Sequence, residues 1–441
     1  MKKKNKKLLV AAVAAALSAA TAVPALALEN QFNGAFTAFY DMTNFTGSGV
    51  VQADAPSSNY FVQRVRLGYT AKADDHVKLV TKFEFDYNYW GNSSYSVGRG
   101  DGGAIGADSV NMETKHLYLD LSYPVCNAKI GMMPYNDSFK GLLFDGDMAG
   151  VLLSHDYSKA GISAGFFRFN DATKDSNLAA VAPGRQQDFT NLGRNTNDMF
   201  SLDGKYNVSK DLAIGAAYYY IQDDSTNNTG SDVVINDLKV HSIGVNAAGN
   251  LGPVALSGFF LQQFGDLTAT QDAEGYAFNV GAKMPLGGGT LRSEFLYVSG
   301  GNDAFYVANG PGGTEGGQFY DAEMIMLGRD KYATSIDNAI IYDVNNFGEG
   351  VIMGTVGYDY TFNDKVSASA NAGFAAVADN TGARGDGSDD YLGTEINAEA
   401  YYKLTANVTL GARAGYLMLG DYFDNSFDDP YDMKLIAKYN F

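Results

Sequence analysis

Apolar and polar residues alternate with a period of two through most of the chain beyond residue 28. The last segment shows the pattern plainly: Tyr431, Met433, Leu435, Ala437, Tyr439 and Phe441 interleave with Asp432, Lys434, Ile436, Lys438 and Asn440. Side chains of a strand point alternately to its two faces, so this segment has one apolar face and one face bearing lysines. Ile436 departs from the pattern, an apolar residue on the charged side. A strand left at a sheet edge is an open template for another chain, and closing the sheet on itself removes that edge.

Segments of the same kind, about ten residues long, recur along the sequence, and that is the length with which a tilted strand crosses a bilayer. The alternation predicts strands at 32–42, 61–70, 77–89, 111–123, 128–135, 150–157, 160–170, 198–208 and 212–222. It predicts further strands at 237–248, 254–265, 274–285, 290–300, 351–362, 366–378, 394–404, 408–420 and 430–441. Tight turns such as 73–76, 124–127, 158–159, 209–211 and 286–289 take turns with long loops such as 91–110, 136–149 and 301–350. The pattern predicts an all-β fold, a transmembrane antiparallel β-barrel of about 18 strands, with about 16 as the alternative. An even count returns the carboxyl terminus to the side of the amino terminus, so tight turns face the periplasm and long loops face outwards.

Residues 1–27 read as a cleaved signal peptide rather than part of the fold. Lys2, Lys3, Lys4, Lys6 and Lys7 precede an alanine-rich apolar run, and Ala25-Leu26-Ala27 has the form of a cleavage site. The barrel is expected over 28–441. The chain has 32 basic and 50 acidic residues, and losing five lysines makes it more acidic still, which argues against nucleic acid as a partner. Cys126 is the only cysteine, so no intramolecular disulfide or four-cysteine metal site can form. Tyrosine (29), phenylalanine (27) and glycine (51) are abundant, as strands and turns require.

If the apolar faces meet lipid, the opposite parity lines the interior. It places Arg64, Arg66, Lys78, Lys82, Arg413, Lys434 and Lys438 on neighbouring strands, a basic wall across the seam where the last strand pairs with the first. Elsewhere the inferred lining is mixed, with Glu84, Asp86, Asp203, Asp359, Glu395 and Glu399 beside Lys129, Lys205 and Lys283. Phe85, Tyr87, Tyr89 and Trp90 at the outer end of the third strand read as an interfacial aromatic girdle. Only Tyr118, Tyr219 and Tyr401 fall on the interior parity.

Catalytic and metal signatures are weak. His76, His116, His155 and His241 are scattered, without the i,i+4 spacing of a zinc pair or a local partner for a serine triad. Asp145-Gly146-Asp147 offers too few oxygens for calcium. The glycine-rich 98–103 opens no helix, and Arg384-Gly385-Asp386 is a chance match to an adhesion tripeptide. No enzyme, metal or cofactor is expected.

On its alternating strands, its segregated loops and its ending Tyr439-Asn440-Phe441, the sequence resembles the bacterial outer-membrane porins, and among them the larger channels of metal-reducing bacteria. Tyr439 and Phe441 look like the carboxyl-terminal signal read by the barrel assembly machinery. The resemblance implies a water-filled channel in the outer membrane of a Gram-negative cell, through which small hydrophilic solutes and ions diffuse passively. It also implies contact with outer-membrane lipid and lipopolysaccharide, and a homotrimer. Porins fold the loop after strand five into the lumen. That loop is 136–149 here, short and without the Pro-Glu-Phe run of enterobacterial porins, and its candidate constriction residues are Asp137, Lys140, Asp145 and Asp147. The resemblance thus implies a transverse field between a basic wall and an acidic loop. One alternative is a substrate-specific channel whose 301–350 loop, with Met324-Ile325-Met326-Leu327, folds over or into the mouth. Another is a non-conducting adhesion or scaffold barrel.

Overall fold

A computed structural model describes residues 28–45, 51–91, 103, 112–171, 193, 196–224, 226–229, 232–235, 238–310, 313–314, 316–317, 319, 323–329, 339–383 and 388–441. The leader, most of the glycine-rich 98–103 and Arg384 to Asp386 lie outside the described residues.

Eighteen antiparallel strands form a ring. They are β1 Glu29–Thr43, β2 Ser58–Lys72, β3 Val77–Tyr89, β4 Met112–Ser122, β5 Asn127–Asn136, β6 Asp145–Asp156, β7 Ala160–Asp171, β8 Thr196–Ser209 and β9 Leu212–Asp223. The second half comprises β10 Leu238–Leu251, β11 Val254–Thr268, β12 Tyr276–Leu286, β13 Gly289–Val298, β14 Val351–Thr361, β15 Val366–Ala376, β16 Tyr391–Lys403, β17 Val408–Leu419 and β18 Tyr431–Asn440. Each strand pairs with the next, and β1 pairs with both β2 and β18, so no edge is left. A further two-residue strand, Gln271–Asp272, joins the outer end of β11 outside the ring. All the strands read from the alternation are present.

The seam is in register from Ala35↔Asn440 to Thr43↔Asp432. Phe441 extends it, exchanging backbone hydrogen bonds with Gly34 at 2.8 and 3.0 Å. Leu117, Leu153, Leu202, Val245, Ile396 and Leu435 all lie exposed on the outer face. A surface of that kind matches hydrocarbon rather than water.

Ile436 has an explanation. It stands opposite Phe39, which stands opposite Val62, and the three are buried together on the inner wall under Tyr60, Tyr87 and Tyr89. The last two were expected on the outer girdle. Between Val65↔Phe85 and Gln63↔Asn88 β3 carries one residue too many, and this bulge reverses the parity of the residues beyond it. Tyr87 and Tyr89 therefore turn inwards, while Trp90 stays outside, stacked on Phe61.

β6 begins at Asp145, five residues before the expected start, because the backbone from Asp145 to Ala149 pairs with β5 despite its poor strand propensity. The loop after β5 is thereby reduced to 137–144.

Candidate functional site

That short loop folds completely into the barrel. Asp137, 5% exposed, holds it in shape: one carboxylate oxygen accepts the backbone N–H of Phe139 (2.7 Å) and Gly141 (3.1 Å), the other those of Leu143 (2.6 Å) and Phe144 (2.8 Å). Burial pushes its carboxyl up to about 6, against the four N–H groups that favour the charged form. With its polar backbone satisfied, the loop can bury Phe139, Leu142, Leu143 and Phe144 entirely. Phe139 meets Tyr219 and Phe259 edge-on, and Gly244 makes room for it, since a Cβ there would come within 2.6 Å of the ring. The loop crosses to the far wall, where Lys140 forms an ion pair with Glu294 of β13. Lys140 has φ 65°, a left-handed conformation that costs a non-glycine residue about 1 kcal/mol or more.

The long loop between β13 and β14 folds in behind it. The N–H of Ala308 donates to the carbonyl of Leu143 (2.9 Å), and that of Gly317 to the carbonyl of Leu142 (2.8 Å). Further along, Met324, Ile325, Met326 and Leu327 are buried against the inner wall, with Ile325 over Gly415. Glu395 of β16 fixes this run. Its carboxylate accepts the backbone N–H groups of Ile325 (2.9 Å), Met326 (3.0 Å) and Leu327 (2.7 Å). Asn397 ties Glu395 to Asn371, and Asn371 accepts from Arg292, which also grips Asp359. A third buried carboxylate, Glu349, accepts the N–H groups of Thr381 and Ala383 and draws the next outer loop inwards.

Most of the residues read as a basic wall stand beside carboxylates. The register brings Glu84 beside Arg66, and Arg64 reaches both Glu84 (2.7 Å) and Asp86 (3.0 Å). Lys434 lies between Asp41 (3.0 Å) and Asp432, and Arg413 faces Glu399 at 3.8 Å. Lys438 stands opposite Thr37. Lys78 and Lys82 are on the same face with no hydrogen bond or ion pair among the described residues.

The acidic loop is also different in detail. Asp137 spends its charge on its own backbone, Lys140 is the residue that reaches across, and Asp145 and Asp147 belong to β6. Asp147 contacts Lys115 and His116, each at 3.0 Å. Both can reach it because a bulge at Lys82/Phe83 inserts Lys115 as an extra residue in β4. Nothing in the sequence marks that bulge, so Lys115 could not be read as lining; Arg292 and Glu294, by contrast, follow the parity of β13 and could have been read from it.

Tyr439 and Phe441 both face outwards, their rings stacked at 5.3 Å between centroids.

A closed ring with an apolar exterior, a charged interior and two loops folded through the middle is the geometry of a restricted transmembrane pore. The family model for Gram-negative porins matches residues 10–310, about two thirds of the sequence. The chain belongs to the Gram-negative porin family. This porin also superposes on solved channels, at identities that speak for the fold alone. A BenF-like porin from Pseudomonas fluorescens Pf-5 is 16% identical, with 93% of this chain and 98% of that one covered and a TM-score of 0.54. Pseudomonas aeruginosa OccD3 (OpdP) is 14% identical over 93% and 91% of the two chains, with a TM-score of 0.56. Pseudomonas aeruginosa OccK2 (OpdF), solved in complex with glucuronate, is 14% identical over 93% and 96%, with a TM-score of 0.55. No protein of curated function matches the sequence. The porin is an outer-membrane channel for small solutes.

Proposed function

We propose that this porin is a solute-discriminating channel rather than an open sieve, admitting small hydrophilic molecules past a constriction built from both inward loops. The observation that supports this reading is the seat of the long loop: three consecutive backbone N–H groups on the carboxylate of Glu395, deep on the inner wall. A loop merely lying over the mouth has no need of such an anchor, because its backbone is satisfied by water. The solute faces charged side chains of both signs, Lys82 and Lys115 against Asp147 and Glu294, which favour polar and dipolar molecules over apolar ones. OccK2, with its bound glucuronate, shows that a barrel of this shape can hold a small polar solute.

Function as a channel without enzymatic activity accords with the porin family. Insertion by the barrel assembly machinery is supported by the outward Tyr439 and Phe441, and bridging to lipopolysaccharide through divalent cations by the acidic outer loops with Asp379, Asp389, Asp424 and Asp428. A homotrimer rests on the porin resemblance, and the lipid-facing groove over Gly204, Ala216 and Gly258 suits close packing.

Planar-bilayer recording of the purified full-length protein tests the reading. A small conductance that saturates or is blocked by particular solutes is expected; a large conductance that rises without limit, or none at all, would refute it.

A further inference from the structure

Beneath the short loop, on the periplasmic side, the inner wall from β8 to β13 borders an open pocket of about 400 Å³. Lys140, Glu294 and Lys283 line it, with Asn250 and Ser257 among the polar groups between them, and Lys210 and Asp211, paired with each other at 3.9 Å, lie at its periplasmic rim. Glu294 is almost buried, and its two oxygens have different surroundings. One is taken by Lys140 and by the side-chain amide of Asn279. The other has no hydrogen bond among the described residues and lies over Gly281, the residue directly opposite Glu294 across the β12–β13 ladder. Any side chain at 281 would collide with that oxygen.

Lys283 is two residues along β12 from Gly281, on the same face, so its Cα lies diagonally from that of Glu294 at about 7–8 Å. No hydrogen bond or ion pair engages it among the described residues. A carboxylate oxygen and an ammonium, each without a partner among the described residues, thus line one pocket. Lys140, which holds the other oxygen, does so from a strained backbone, and such strain persists where the surroundings over-determine a residue at a working site.

We propose that this pocket is a binding site for a small zwitterion of the α-amino-acid type, its ammonium on the free oxygen of Glu294 and its carboxylate on Lys283. The proposal rests on the reading of the porin as a discriminating channel and names its solute class. Each end of the solute gains a charge-assisted hydrogen bond, and a molecule with only one charge leaves the other wall group without a partner. Neutral sugars leave both unpaired.

Calorimetric titration of the full chain in detergent with L-alanine, lactate and alaninamide tests the site independently of conduction. Alanine is expected to bind at least about tenfold more tightly than either singly charged analogue, a factor that one charge-assisted bond supplies. Lys283→Gln should remove that preference against alaninamide, and Gly281→Ala should weaken alanine with the barrel still folded by circular dichroism. Equal binding of all three solutes, or an unchanged alanine affinity in both variants, would overturn the proposal. Binding without conductance would leave the site standing and refute the channel reading; discriminating conductance without alanine binding would do the reverse.

Discussion

Glu395 accepts the backbone N–H of Met326 at 3.0 Å, although the two residues lie 69 positions apart and belong to opposite kinds of structure, a wall strand and a mouth loop. That contact decides where the longest loop of the porin resides. Glu395→Ala should free the loop: three buried donors lose their acceptor, each at a cost of about 1–3 kcal/mol. Single-channel conductance should rise while the heat-modifiable mobility of the folded barrel is retained. Glu395→Gln keeps an acceptor oxygen and should lie between the two.

Asp137 makes the short loop sensitive to a rise in pH. Its carboxyl is raised from an ordinary 3.8 to about 6, so the folded loop holds a proton that the unfolded loop would release. The loop should therefore be most secure below about pH 4, loosen as the pH rises to about 6, and change no further above that. Hydrogen exchange of the amides of Phe139 to Phe144, corrected for the intrinsic rate, should take this course. In Asp137→Asn the pH dependence should vanish.

Lysine and arginine on the basic wall are not equivalent. Lys82 has no hydrogen bond or ion pair among the described residues, so Lys82→Glu should move the reversal potential towards cation selectivity with little loss of stability. Arg64 is bound to Glu84 and Asp86, and Arg64→Glu would set three carboxylates together on the inner wall. A destabilisation of about 3 kcal/mol or more is expected, read as a lower temperature for loss of heat-modifiable mobility.

Phe441 closes the seam, and the part proposed for it in insertion can be separated from that. Deleting it removes two backbone hydrogen bonds to Gly34 and an outward ring. Spontaneous refolding into detergent should suffer little, whereas the yield in the outer membrane of cells should fall sharply. A comparable loss in both assays would assign the residue to stability alone.

The ring of strands was legible because a period of two is imposed by lipid on one side and water on the other, and neither tolerates an exception for long. Where exceptions occur the reading failed. A single bulge in β3 turned Tyr87 and Tyr89 from lipid to lumen, and another in β4 brought in Lys115, and no residue type announces either. Ile436 was legible as an anomaly but not as a partner of Phe39 and Val62, which depends on two registers at once. The loops left partial signs. An apolar run at Met324 to Leu327 has no place in water, yet only the burial of Glu395 shows what receives it. Asp137, Lys140 and Asp147 stand out in the sequence by their charge, but that charge cannot be assigned to backbone, far wall or near wall without the fold.

The two inward loops meet directly, through the carbonyls of Leu142 and Leu143 and the N–H groups of Gly317 and Ala308. Neither can leave the lumen without taking hydrogen bonds from the other, and buried bonds of this kind break together more readily than in turn. Each pore should therefore switch as one gate with two current levels, and an intermediate level within a single pore's step would mean that its two loops move alone.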